Sequence, residues 1–272
     1  MISFKQVRQR SITILITLVT LNSPLVLAND STAVLGTGGI VLQKSDHIVM
    51  EEEELLISQD IIRVKYVFYN TSDKAITTRV AFPLPSFQEI PNQDLPISYE
   101  AHKPMSFKLN IAGKERSFDT EIKRHDGMVD MTHHWMQTFP AKERLAVEHE
   151  YQPAIGSEIF LSTHAEAKKH YAETYCIEDN LQKWMDRNHD TNSVKDMKII
   201  TPKYVHYVLK TGAHWKGSIN KFRLIIKKKS PKEKISLCIT GIKKQDASTF
   251  VFEKDNFIPT NDLKILFLNP AS

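Results

Sequence analysis

Beyond its first 28 residues the chain has no second long apolar run, no internal repeat and no low-complexity tract. The missing run excludes a helical membrane span in that part, since ~20 consecutive apolar residues are needed to cross a bilayer. Charge of one sign is not in excess there either. Residues 1–28 hold three of the 36 Lys and Arg and none of the 32 Asp and Glu, so the remainder stands at 33 against 32, a net of +1. That balance gives no global electrostatic reason to seek nucleic acid or anionic lipid. No serine lies in a Gly-x-Ser-x-Gly elbow, and only two cysteines occur, Cys176 and Cys238.

The start of the chain is ordered in three parts. Lys5, Arg8 and Arg10 precede an apolar stretch from Ser11 to Leu21, and Val26-Leu27-Ala28 then meets polar Asn29-Asp30. A positive segment, an apolar segment and a small-x-Ala site form the layout of a signal peptide, here with cleavage after Ala28. The stretch is too short for an uncleaved anchor, and no cysteine at the site offers a lipid attachment. The expected location is the periplasm or the outside of the cell, and the mature chain is expected to be soluble. In such an oxidising compartment Cys176 and Cys238 are expected to pair, closing a loop of about 60 residues worth ~4 kcal/mol in the chain-entropy model. Two separate buried thiols are the alternative, because sequence does not show that the Cα atoms approach. Pairing would remove the free thiolate that a cysteine nucleophile needs.

Most of the remaining chain alternates with period two. Ile62, Val64, Tyr66 and Phe68 face one way, and after the turn formers Asn70 to Asp73 so do Ile76, Thr78, Val80 and Phe82; the pair predicts a hairpin. Pro83 and Pro85 end it. A second hairpin is expected from Phe107, Leu109 and Ile111, the turn Ala112-Gly113-Lys114, and Phe118, Thr120 and Ile122. Leu145, Val147, His149 and Tyr151 mark a further strand, and similar runs continue to Leu268. The exception is a helical insert from Thr163 to Asn188, opened by the capping box Thr163 to Glu166. Its stripe of Ile177, Leu181, Trp184 and Met185 is expected to pack in a core. Phe87 to Pro104 reads as a loop or meander. The predicted fold is mainly β, with antiparallel sandwich-like sheets and a short helical insert. The regions are 1–28, 29–155 and 156–272, the last two being separate β-rich domains or one unit.

Chemistry-bearing motifs are few. His149-Glu150 opens like a zinc-protease motif, but Pro153 stands where the second His belongs and the stretch reads as a strand. Gly36-Thr37-Gly38-Gly39 lacks the strand and helix of a phosphate cradle and reads as a turn. A metal site would draw on His125, His133 and His134 with Asp126 or Asp130, although adjacent His133 and His134 point to opposite faces of a strand. His164 and His170 lack a ligand spacing. Glu51 to Glu54 suggests a solvated edge strand, or a weak calcium site. Lys227 to Lys229, Lys232 and Lys234 suggest a basic hairpin tip, with a polyanion such as lipopolysaccharide as the alternative contact.

Several segments together resemble a family of exported bacterial proteins, the domain of unknown function numbered four-four-two-four. They are Asn29 to Ala33 with Gly38-Gly39, Asn70 to Lys74, Phe82 to Pro85, Phe139-Pro140-Ala141 leading to Glu148, His149 and Tyr151, Tyr175-Cys176, Thr211 to Trp215, Phe222-Arg223-Leu224, Cys238 and Phe267. His214 stands where an Asn is expected beside the Trp. The resemblance spans nearly the whole chain after Ala28. It implies export and places both cysteines in one pattern, and it carries no activity or cofactor. The expected function is therefore that of a non-catalytic envelope module binding an envelope ligand or protein partner, with Trp135, Trp215 and His214 as contact candidates. The rivals are a secreted metal-dependent hydrolase using His125 to His134, and a structural subunit of an envelope assembly.

Overall fold

A computed structural model describes residues 29–36, 39–88, 104–157, 165–188 and 200–269. Residues 1–28, read above as a signal peptide, the capping residues Thr163 and His164 and most of the proline-rich meander lie outside them. The strands are β1 (Ser31–Gly36), β2 (Gly39–Gln43), β3 (Ile48–Ile57), β4 (Ile62–Asn70), β5 (Ile76–Pro83), β6 (Phe87–Gln88), β7 (Lys108–Ile111), β8 (Lys114–Arg116), β9 (Asp119–His125), β10 (Met128–Phe139), β11 (Arg144–Tyr151) and β12 (Ile155–Ser157). After helices α1 (Ala165–Tyr175) and α2 (Asp179–Asn188) come β13 (Thr201–Tyr207), β14 (Ile219–Lys227), β15 (Lys234–Ser236), β16 (Lys243–Lys244), β17 (Thr249–Phe257) and β18 (Leu263–Asn269).

They form three sheets, so the chain is mainly β with a two-helix insert, as the alternation predicts. The largest runs β16-β17-β14-β3-β4-β11-β7-β8, and its inner face packs against two smaller sheets. One of these is β2-β1-β5-β10-β6, with β9 also on β10, and the other is β12-β13-β18-β15. The common core joins Leu55, Tyr66 and Phe68 of the large sheet to Phe82, Trp135 and Phe139 of the second and to Tyr207, Ile265 and Phe267 of the third. On the outer side of the third sheet, Leu266 and Leu268 meet Tyr171, Tyr175 and Met185 of the helices, with Ile177, Leu181 and Trp184 packed around them. The helical stripe is thus core packing. Cys176 and Cys238 form a disulfide that ties the end of α1 to the segment after β15. The large sheet draws strands from both sides of residue 155: β14 lies parallel to β3, with Leu224 opposite Leu55.

Three local expectations need correction. The runs Ile62–Asn70 and Ile76–Pro83 are not a hairpin. β4 is bonded on both sides, to β3 and β11, so β5 crosses to the second sheet and pairs with β1 and β10. Their apolar faces meet across the core rather than side by side. Likewise β7 and β8 pair around Ala112-Gly113, both at positive φ (50° and 75°), but the chain then leaves at Ser117-Phe118 and β9 joins β10. The Lys227–Lys234 segment is also a crossover. Lys227 ends β14 in one sheet and Lys234 begins β15 in another, wrapped around buried Glu233, which accepts from Gln59 Nε2 (2.6 Å) and Lys229 N (3.0 Å).

Candidate functional site

The acidic run Glu51 to Glu54 is not an edge, because β3 is hydrogen-bonded to β4 and β14. A bulge between Met50 and Glu52 inserts one residue into the alternation. Up to it the inward residues are Ile48 and Met50, and after it Glu53, Leu55 and Ile57. A bulge of this kind re-aims the side chains that follow, so Glu53 enters the core while Glu52 and Glu54 stay outside. Those two pair with Lys221 (3.6 Å) and Arg223 (3.2 Å), and Glu51 pairs with Arg144 (2.6 Å).

Inside, Glu53 meets the residues that open the described chain. Asn29 and Asp30 are wholly buried. Asn29 Nδ2 donates to both Glu53 oxygens at 3.3 and 3.2 Å, and its Oδ1 accepts from the Tyr66 hydroxyl. The Tyr66 and Tyr207 hydroxyls lie 3.3 Å apart. The segment Thr211 to Trp215 closes over these residues: Thr211 Oγ1 donates to Asn29 O (2.7 Å), Trp215 Nε1 to Asp30 O (2.6 Å), and His214 Nδ1 lies 3.0 Å from Ser31 Oγ. Trp215 packs between Phe68 and Phe139, with ring centroids 4.6 and 6.0 Å away. Two short motifs far apart in sequence therefore form one clamp. Trp215 Nε1 and His214 Nδ1 are spent inside it.

The electrostatics of this core are unusual. Burial, and then neighbouring Glu53, push the Asp30 carboxyl well above its usual range. Burial lifts Glu53 to about 8 against the lowering hydrogen bond from Asn29. His149 Nε2 lies 3.6 Å from Asp30 Oδ2, too far for a hydrogen bond, and burial first and His133 second lower His149 to about 3. At neutral pH that imidazole is uncharged. Both Asp30 oxygens lack a hydrogen-bond partner among the described residues.

The histidines proposed for metal separate as strand geometry requires. His133 is buried, with its ring 4.2 Å from Phe107 and 5.0 Å from Phe118, Nδ1 2.9 Å from Thr120 Oγ1, and a pKa lowered to about 3 by burial and then by His134. His134 lies on the opposite face and accepts from Arg79 Nη1 at 2.8 Å. His125 sits 2.7 Å from Asp130. Among the described residues no three His, Cys, Asp or Glu gather as a metal-holding group.

Trp135 has a different setting. It lies on the inward face of β10, edge-on to His149 at 5.2 Å, and is 5 % exposed. It lines a cleft of about 650 Å³ between β10 and the β7–β8 hairpin, with Gln137, Ile111, Phe118, Lys114 and Arg116 among the walls. Behind this lining, Trp135 Nε1 and Gln137 Oε1 are closed off from solvent, and neither has a hydrogen-bond partner among the described residues. A buried donor or acceptor without a partner costs about 1–3 kcal/mol, and a ligand in the cleft reaches either atom only when these side chains shift to open it. Gln137 was missed from sequence, although a polar residue in phase with inward Trp135 and Phe139 is the signal that marks it.

The fold defines a mainly β chain of three packed sheets with a two-helix insert, closed by a clamp on residues 29–31 and carrying a cleft beside β10. The sequence model of the family described as "Domain of unknown function (DUF4424)" matches residues 28–134 and 128–266, and the chain belongs to that family. No curated protein matches it. A Legionella pneumophila protein, provisionally named as nutrient binding, is similar in structure, with 16 % identity over 89 % of this chain and 70 % of that one and a TM-score of 0.53. That likeness is one of fold. Weaker likenesses reach leukotriene A4 hydrolase from Saccharomyces cerevisiae (10 % identity, 82 % of this chain, 29 % of that, TM-score 0.39). An M1 zinc metallopeptidase from Deinococcus radiodurans gives 7 % identity, 83 % and 43 % coverage and a TM-score of 0.29. The chain spans less than half the length of these two enzymes.

Proposed function

We propose that the chain is exported, is cut after Ala28, and works in the periplasm or outside the cell as a non-catalytic binding module. Its ligand sits in the cleft beside β10. The observation that carries this reading is the pair of orphan polar atoms, Trp135 Nε1 and Gln137 Oε1, on side chains more than nine-tenths buried at the cleft. One is a donor and the other an acceptor, so an amide group, which offers both complements, fits them. Phe118 and Ile111 supply apolar wall, and Lys114 and Arg116, against the single carboxylate Asp119 in the same lining, suit a negative charge. The ligand class is a small amide-bearing anion, such as a fragment of an envelope glycan or peptide. The name of the Legionella neighbour, nutrient binding, supports the same class of function. The export layout of residues 1–28 supports the location.

The test is calorimetric titration of the chain from Asn29 to Ser272 with N-acetylmuramic acid and with short acidic peptides. Trp135→Phe keeps an aromatic ring, smaller than the indole, and removes the N–H, and Gln137→Leu removes the acceptor. One hydrogen bond of ordinary net strength, about 1 kcal/mol, corresponds to a roughly fivefold weaker Kd in either variant. Binding of neither probe, or equal affinity in wild type and both variants, would sink the assignment of this cleft.

A further inference from the structure

Asn29, Asp30 and Glu53 bury two carboxyl groups together, and the polar side chains around them bring no counter-charge. Tyr66, Tyr207 and Tyr151 are buried phenols, Thr211 and Trp215 are neutral donors, and the His149 imidazole is held uncharged by burial. A buried carboxylate is tolerated when it is paired and hydrogen-bonded, yet neither Asp30 oxygen has a partner among the described residues. The residue whose amide already touches Glu53 is Asn29, which immediately follows the expected cleavage point.

We infer that cutting the Ala28–Asn29 bond completes this core, because the α-ammonium released on Asn29 becomes the buried counter-ion of Asp30 and Glu53. The inference rests on the export reading above. In the step, a signal peptidase adds water across the peptide bond: Ala28 leaves as a carboxylate, and the new amine of Asn29 takes up a proton. Ordinary bond lengths keep that nitrogen within about 5 Å of the Asn29 side-chain amide, which itself lies 3.2 and 3.3 Å from the Glu53 oxygens. Before the cut the same nitrogen is a neutral amide. The clamp from Thr211 to Trp215 then holds the terminus by its backbone, through Asn29 O and Asp30 O. Gly212 lets it approach, since a Cβ there would lie 2.7 Å from Asn29 Nδ2. Processing thus acts as a structural lock.

The test compares two forms of the chain, each released by a protease that leaves no added residues, one starting at Asn29 and one at Ala28. Losing one partner of a buried pair is a large perturbation, so the form starting at Ala28 is expected to unfold on the order of 10 °C lower. The gap narrows in a Glu53→Gln background, where Asp30 remains as the other partner. Independently of any variant, the α-amine of the Asn29 form is expected to resist acylation at pH 7 under conditions that modify the Ala28 form. Equal unfolding midpoints, or an Asn29 amine that reacts and titrates like an exposed one, would overturn the inference. The intact mass of the protein recovered from its native compartment separates the two readings. An uncut chain defeats export and lock together, whereas a correctly cut chain with a reactive terminus defeats the lock alone.

Discussion

Gly212→Ala is the substitution whose cost follows most directly from geometry. Gly212 lies in the single turn of 3-10 helix Lys210–His214, donates its N–H to Leu209 O at 3.0 Å, and does not need a positive φ, so alanine suits its backbone. The difficulty is space. The added Cβ would meet Asn29 Nδ2 at 2.7 Å and Ile219 Cδ1 at 3.2 Å. Relieving the first contact requires the amide to move by about 0.7–1 Å to reach ordinary van der Waals distance. Its bonds to Glu53, already 3.2 and 3.3 Å, would then break, and the Tyr66 hydroxyl would lose its acceptor. Overpacking costs about 1–3 kcal/mol, and stranding buried polar groups adds a similar amount. The expected loss is about 3 kcal/mol, a fall in Tm of roughly 6–12 °C for a chain this long. The assay is thermal unfolding of oxidised protein, with Gly113→Ala as a control at a turn where a Cβ meets nothing within 4 Å but φ is +75°. The reasoning also requires non-additivity. With Asn29→Ala in place the obstructing amide is gone, and Gly212→Ala should then cost under about 1 kcal/mol, the coupling expected of residues in contact. A fall of less than 2 °C for the single variant, or the same loss in both backgrounds, would refute the close approach.

Other outcomes follow from the same core and its periphery. Replacing Cys176 and Cys238 by serine should cost about 4 kcal/mol from loop entropy alone, read as a lower urea midpoint, and undiminished stability would mean that the bridge constrains nothing. His133→Phe should become progressively more stable relative to wild type as pH falls. The folded pKa is about 3 against an unfolded 6.5, so only the unfolded wild-type chain takes up this proton between those values. The advantage grows by about 1.4 kcal/mol per pH unit below about 6. Parallel pH profiles for the two proteins would count against burial of a neutral imidazole.

Much of the architecture is legible from period-two patterning, and the failures share one cause. The inward sets Val64, Tyr66, Phe68 and Val80, Phe82 are identifiable because alternation is a local property. Which strand lies beside which is not local. A hairpin and a crossover between two packed sheets leave the same alternation and the same turn residues, and only the occupation of both edges of β4 by β3 and β11 distinguishes them. Glu53 was hidden by a one-residue bulge, since four consecutive glutamates show no phase of their own. At the candidate site, the opposite directions of His133 and His134 follow from strand geometry. Trp135 is recognisable as an aromatic with a polar handle. The orphan state of its N–H was out of reach, because it depends on which groups the tertiary fold brings against the indole.

The parallel pairing of β3 with β14 has a kinetic consequence. Glu54 and its partner Arg223 are 169 residues apart in sequence, and β3 has no other neighbour on that side of the sheet. Contacts so distant carry their closure entropy before they return any stabilisation, which slows folding. A chain emerging from its amino end therefore has an open strand in the middle of its main sheet until nearly the last fifth has appeared. Its folding is gated by its own tail. On the export route proposed above, that delay would keep the compact form from arriving before the chain has crossed the membrane.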